Sequence, residues 1–181
     1  MSCLKSLSGL GRQCESNLPG IKRVLFANRE DISGVTFVDS SSGITVSSIT
    51  METGAKFYAY YFAKNTGSLV TTQVRNEENG SNYYTSVITL QFNKLEAAKH
   101  IEISALAEGN LIAIVTDNND VNHLVGYDEY LSSDGSEIAA TGASADDRNG
   151  YALTLSATER KIGRIVPDTV LASLPVDEPT A

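Results

Sequence analysis

The sequence predicts a mainly β fold, a β-sandwich or barrel with one flanking α-helix, and three observations predict it. The run Tyr83 to Phe92 (YYTSVITLQF) alternates Tyr84, Ser86, Ile88, Leu90 and Phe92 with Tyr83, Thr85, Val87, Thr89 and Gln91. That is the period of a strand, and apolar groups on both of its faces predict cover on both sides for part of its length. Clusters of Asn, Asp and Gly at 76–80 and 117–120 divide β-branched runs, as hairpin turns do, because these residues tolerate positive φ and hydrogen-bond their own backbone. One stretch, about Lys94 to Glu108, reads as helix.

The elements follow in order. Residues 1–20 form a Gly-, Ser- and Asn-rich arm ending at Pro19-Gly20, and residues 21–166 form one β-rich domain without repeats. Ile21 to Ala27 is strand-like, and the polar connection Asn28-Arg29-Glu30-Asp31 reads as a link or as one turn of helix. Val35 to Val38 and Ile44 to Ile49 bracket a turn at Ser40 to Gly43, and Phe57 to Ala63 is the most aromatic run. Leu69 to Arg75 pairs with Tyr83 to Phe92 across a turn that ends in Asn79-Gly80. Asn93 with Glu96 resembles a capping box for the helix, whose stripe is Leu95, Ala98, Ala105 and Leu106 and whose left-handed stop is Gly109. Glu102 lies close to that stripe, which predicts a helix leaning on a sheet edge or a neighbouring subunit. Leu111 to Val115 and Val121 to Tyr127 then make a hairpin. Ser132 to Gly150 is a long loop of small residues expected outside the core, Tyr151 to Ala157 a strand, and Ile162 to Val166 a short last one. Residues 167–181, with three prolines and several acids, read as a flexible acidic tail that only a partner would order.

With 14 Lys and Arg against 22 Asp and Glu, the net charge of −8 argues against nucleic-acid binding through a basic surface. No apolar stretch is long enough to span a bilayer and the start lacks a signal-peptide core, so assembly in a cytoplasm is expected. Cys3 and Cys14 are the only cysteines; a disulfide is conceivable, but a cytoplasmic setting favours free thiols, and zinc would want more ligands.

Chemistry is sparse. The Asp117-Asn118-Asn119-Asp120 run invites comparison with a calcium loop, but it lacks the Gly and the twelfth-position Glu, so a plain turn is the better reading. His100 and His123 have no nucleophile elbow to serve, Asp146-Asp147 reads as solvated charge, and Gly9-Leu10-Gly11 lacks the rest of a dinucleotide fingerprint. Phe57 to Phe62 lacks interleaved basic residues and reads as core rather than a base-stacking platform. No enzyme, metal or cofactor is expected.

The stretch Cys14-Glu15, Pro19-Gly20-Ile21-Lys22-Arg23-Val24-Leu25-Phe26-Ala27-Asn28 resembles the start of virion structural proteins from phages of Bacteroidetes-type hosts. The later order of strand, helix, strand Leu111 to Val115, return at Leu124-Val125-Gly126, polar loop and Asn149-Gly150-Tyr151-Ala152-Leu153-Thr154-Leu155 is similar to phage tail tube proteins. That resemblance implies a subunit of stacked homo-oligomeric rings, usually hexameric, forming the conduit through which DNA leaves the capsid. Its partners would be further copies and other tail or neck proteins, with DNA passing unbound and the virion tail as location. Another virion ring (neck, tail-terminator or tail-barrel) fits the same order, and a carbohydrate-binding or adhesive β-sandwich is the alternative from another class, weakened by the absence of Trp. Within a ring, Asp134, Glu137, Asp146 and Asp147 are candidates for inter-subunit or inter-ring contacts with Lys22, Arg23 or Arg160. Glu77, Glu78, Asp117 and Asp120 are candidates for an acidic or neutral lumen.

Overall fold

The computed structural model describes Leu10 and residues 16–39, 43–135, 138–144 and 146–179. Among these the chain forms strands β1 (Ile21–Asn28), β2 (Ile32–Phe37), β3 (Val46–Met51), β4 (Phe57–Tyr61), β5 (Gly67–Asn76) and β6 (Ser81–Asn93), then helix α1 (Ala97–Glu108). Strands β7 (Leu111–Asp117), β8 (Asn122–Val125), β9 (Ser132–Ser133), β10 (Ala139–Ala140), β11 (Gly150–Glu159) and β12 (Arg164–Ile165) follow, then helix α2 (Asp168–Leu171) and β13 (Val176–Asp177). The polar link at Arg29–Asp31 is one 3-10 turn.

β7 opens with Leu111-Ile112-Ala113-Ile114-Val115, an apolar run without alternation, and every one of these residues is buried. A strand of that kind needs cover on both faces. It gets it by lying inside a six-stranded sheet ordered β12-β8-β7-β1-β4-β13, where β1 pairs antiparallel with both β7 and β4. On one face of this central sheet Val24, Phe26, Ala113, Val115 and Val125 meet Ile88, Leu90, Leu153, Leu155 and Ala157 of a second sheet. That sheet is ordered β10-β11-β6-β5, with β9 also on β11. On the opposite face Leu25, Phe57, Ile112, Ile114 and Leu124 pack against Ile32, Val35 and Val46 of the β2–β3 hairpin and Val166, Val170 and Leu174 near the C-terminus. The fold is therefore a mainly β sandwich carrying a third, partial layer.

Several sequence expectations give way here. β6 faces the core with Ser86, Ile88 and Leu90, but Val87, Thr89 and Gln91 stay half exposed on the outside of the sandwich. The doubly covered strand is β7. The capping box does not form: Asn93 ends β6, Lys94 takes φ 67°, and the first cap residue is Glu96 without a side-chain cap bond. Asn149 sets this entry instead, accepting from Lys94 N through its carbonyl (2.9 Å) and from Leu95 N through Oδ1 (3.1 Å). Gly109 is not left-handed (φ −79°); a Cβ there would stand 3.0 Å from the Ala105 carbonyl and 3.1 Å from Leu111, so the glycine serves a close approach rather than a positive φ. Of the expected stripe α1 buries Leu106, together with Ile103, while Ala98 and Ala105 are exposed, and the helix reaches both sheets through Tyr60 Oη to Glu102 and Tyr151 Oη to the Glu96 carbonyl.

The expected flexible tail is also revised. Pro167 begins α2, Val170 and Leu174 are buried, and β13 runs parallel to β4 with Val176 opposite Phe57. Prolines and acids obscured two apolar residues at helical spacing. At the other end, Asn17 to Gly20 are tied to the β7–β8 turn: Leu18 N donates to Asn119 Oδ1 (2.9 Å), Asn118 Nδ2 donates to the Pro19 carbonyl (2.5 Å) and Asn118 N donates to the Gly20 carbonyl (3.1 Å). Cys3 and Cys14 lie outside the described residues.

Because Leu174 is part of the core, Leu174→Ala should lower unfolding free energy by about 2 kcal/mol or more in urea titrations. A free tail would leave the midpoint unchanged.

Candidate functional site

Sheet edges are where a β protein either protects itself or meets a partner. The central sheet ends in β12 and β13, two residues each. One edge of the second sheet is covered by β9 and β10, which pair with β11 at Ser132–Ser133 and Ala139–Ala140. Part of the loop from Ser132 to Gly150 is thus an edge cover, with Ile138 and Asp134 also in backbone bonds to β11. The opposite edge, β5, is different. It is ten residues long, pairs with β6 along its whole length, and has no strand on its other side among the described residues. It has no proline and one charged residue, Arg75.

The outward face of this sheet is distinctive too. Leu69, Leu153 and Leu155 point inward, so pairing register places Val70, Thr72, Thr85, Val87, Thr89, Thr154 and Ser156 outward. Completing the alternation with Ser68, Val74, Tyr83, Gln91, Ala152 and Thr158 adds no Asp, Glu, Lys or Arg. In a chain of net charge −8 the broad face of β5, β6 and β11 is uncharged.

The candidate acids distribute around this sheet rather than on it. Glu77 and Glu78 sit exposed in the β5–β6 turn, Glu77 paired with Arg75 at 3.0 Å. Asp117 is half-buried in the β7–β8 turn, where its Oδ1 accepts from Asn119 N (2.8 Å) and Val121 N (2.9 Å), while its Oδ2 lies 3.7 Å from His123 Nε2. Asp120 pairs with Lys22. Asp117 holds its own turn together and Asp120 ties that turn to Lys22 of β1, and neither joins Glu77 and Glu78. Asp134 and Asp146 are exposed. Asp147 Oδ2 accepts from Ala143 N and Ser144 N, both 2.8 Å, which holds its carboxyl below the usual range and ties up the loop's own backbone. Glu137 lies outside the described residues. Of the proposed basic partners, Lys22 is engaged by Asp120 and Arg23 by Glu178 (3.6 Å) within the chain, and Arg160 is exposed.

His100 is exposed on α1, 6.0 Å from the Tyr151 ring, and among the described residues no Ser, Thr or Cys side chain is hydrogen-bonded to either histidine. Among the described residues no group of three or more His, Cys, Asp or Glu is placed to hold a metal ion, and no helix is long and apolar enough to cross a membrane.

One charged cluster escaped the sequence reading. Arg164 and Glu159, 4% and 2% exposed, are bonded to each other, and Arg164 Nη2 donates to Asp128 Oδ2 at 2.7 Å. Glu159 Oε1 accepts from Gly126 N (2.7 Å) and Tyr127 N (3.0 Å), and the guanidinium lies 4.8 Å from the Tyr127 ring centroid. Burial alone would raise the Asp128 carboxyl, but Arg164 and the Arg160 N–H outweigh it and hold it below its usual range. Burial pushes Glu159 up against the opposing pull of Arg164 and the two N–H groups. The cluster fastens the end of β11 to the loop after β8 and to β12, a structural role. Its signal was the pair Glu159 and Arg164 flanking a short turn; Asp128, 36 positions from Arg164, gave none.

No protein-family model, curated protein or solved structure matches this chain.

Removing one partner from a buried ion pair strands the other, so Arg164→Met should destabilise by about 3–5 kcal/mol in urea unfolding. Asp128, with its lowered folded pKa, contributes stability that is present above the ordinary carboxylate range and disappears as pH falls through the lowered value. Asp128→Asn should therefore lose stability at neutral pH and show a flatter acid limb, which thermal melts across pH will register.

Proposed function

We propose that this chain is a phage virion structural subunit, a tail tube protein whose copies form stacked rings around the exit path of DNA, and we assign it no catalytic turnover. One observation carries the reading: a broad sheet face without charge, bounded by a ten-residue edge that has no strand partner among the described residues.

The two edges of this sheet differ, β5 at one side and the β9 and β10 cover of β11 at the other. Contact between unlike edges of successive copies is heterologous, and such contacts close into rings when the rotation per copy permits. Edge pairing of that kind would remove the aggregation hazard of β5 and extend the sheet around the ring. Turned inward, the Thr, Ser and Val face would line the conduit. Duplex DNA carries one negative charge per about 1.7 Å of axis, so a basic lining would hold it through counterion release. A neutral wall lets it pass. Glu77 and Glu78, at the tip of the β5–β6 hairpin in this same sheet, are the acids best placed to add a repulsive belt; Asp117 and Asp120 belong to the other sheet. The order of elements that resembles tail tube proteins supports the same reading.

Electron microscopy of the purified full chain tests it. Rings or short tubes with the β5–β6–β11 face on the inner wall are expected. Single prolines walked from Val70 to Thr72 should split by parity: where the N–H points away from β6 the chain stays folded and no longer assembles, and where it points toward β6 the hairpin is damaged. Monomers at every concentration, or rings with this face outward, would sink the proposal.

A further inference from the structure

We propose that Asn79-Gly80, at the tip of the β5–β6 hairpin, is a self-modification site at which the asparagine converts without an enzyme to aspartate and isoaspartate. The chain's other Asn-Gly pair, Asn149-Gly150, is held unreactive by the fold. The inference stands apart from the assembly reading, because it rests on the geometry of a turn and a strand start within one chain.

The reaction needs only water and solvent base. The Gly80 amide nitrogen gives up its proton and attacks Asn79 Cγ, forming a C–N bond and placing negative charge on Oδ1. The Cγ–Nδ2 bond then breaks, and the nitrogen leaves as ammonia after taking a proton from water. The resulting five-membered succinimide adds water at one of its two carbonyls and opens to aspartate, or to isoaspartate with the backbone rerouted through the side-chain carbons. The step that decides the rate is closure of the ring, so two requirements follow: the following amide nitrogen must be free to swing toward Cγ, and the charge on Oδ1 must be stabilised.

Asn79 meets both. Its Oδ1 already accepts a hydrogen bond from Ser81 N at 3.0 Å, which places a donor on the atom where charge develops. Gly80 is exposed at φ +71°, and a Cβ built on it would meet nothing within 4 Å, so neither a side chain nor a neighbour blocks base or water. The two residues belong to the turn, outside the β5–β6 ladder, whose last pair is Asn76 with Ser81.

Asn149 meets one requirement and fails the other. Its Oδ1 is polarised by Leu95 N (3.1 Å), but its carbonyl also accepts from Lys94 N (2.9 Å), which fixes the peptide joining it to Gly150. Gly150 is buried in β11, paired with Asn93 on one side and Ala140 on the other. The space beside its Cα is filled, with the Phe92 carbonyl oxygen 2.3 Å from where a Cβ would stand. Swinging the Gly150 nitrogen toward Cγ would tear it out of both pairings, so this pair reacts only through local opening. At the hairpin tip the product sets a third carboxylate beside Glu77 and Glu78, which meet Arg75 there through Glu77.

The test is peptide mapping by mass spectrometry of the full chain incubated at mildly alkaline pH, folded and in denaturant. In the folded protein Asn79 should convert on the order of a hundredfold faster than Asn149, the ratio reflecting an opening step that only Asn149 requires. In denaturant the two sites should react at similar rates, and Asn79 should be no slower folded than unfolded. Equal rates at the two asparagines in the folded chain, or an Asn79 that slows on folding, would overturn the proposal.

Discussion

A sheet with two apolar faces cannot be left with one of them wet, and the rest of this molecule answers to that constraint. β1, β7 and β8 carry Leu25, Ile112, Ile114 and Leu124 on one side and Val24, Phe26, Ala113, Val115 and Val125 on the other. Fully burying a side chain of this size stabilises by about 1.5–3 kcal/mol, so an uncovered face would forfeit a large share of the net stability. The sheet of β5, β6 and β11 covers one face. The other is covered piecemeal by β2–β3, α2 and the turn after it, which is why the C-terminal segment is folded onto the body rather than hanging free.

Covering the core on one side has a price-free dividend on the outside. Because β5, β6 and β11 alternate, their inward positions carry the core residues Leu69, Ile88, Leu90, Leu153 and Leu155 while their outward positions remain open to selection, and those positions hold Thr, Ser, Val, Gln, Tyr and Ala without charge. Buried charge is gathered in the Arg164 cluster. There, desolvation makes the ions weak contributors to net stability, but each holds the others in place, and the cluster joins three elements that have no common strand pairing.

Most of this architecture was legible in the chain. YYTSVITLQF and YALTLSA alternate, Asn79-Gly80 marks the hairpin, and DNND marks the next one; the strands fall close to where these signals put them. What was not legible depended on distant partners. The helix begins at Ala97 because Asn149, more than fifty positions away, holds Lys94 and Leu95. The tail folds because Val170 and Leu174 find a face built from β1, β4 and β7, and no local pattern announces that face. The uncharged surface was written in the sequence as alternate residues, yet which alternate set turns outward was settled by packing. Of the acids singled out from the sequence, Asp117 and Asp147 are occupied within their own turns and Asp120 by Lys22 of β1.

The two-sided burial of β7 has one more consequence, in alignment rather than stability. In a half-buried strand a slip of one residue moves the apolar set into water and is punished at once. In β7 a slip would exchange Ile112 and Ile114 for Ala113 and Val115, apolar for apolar, so hydrophobicity alone says little about where the strand should stop sliding. The information has to come from polar groups. Thr116 Oγ1, buried, donates to Asn122 Oδ1 at 2.8 Å, and Asn122 Nδ2 donates to the Val166 carbonyl (3.2 Å) and Asp168 Oδ1 (2.9 Å). At the strand's far end Arg29 N donates to the Asn110 carbonyl at 2.8 Å. These few polar contacts act as a detent: they add little to the cohesion of the core, and they fix the one setting in which its two halves mesh.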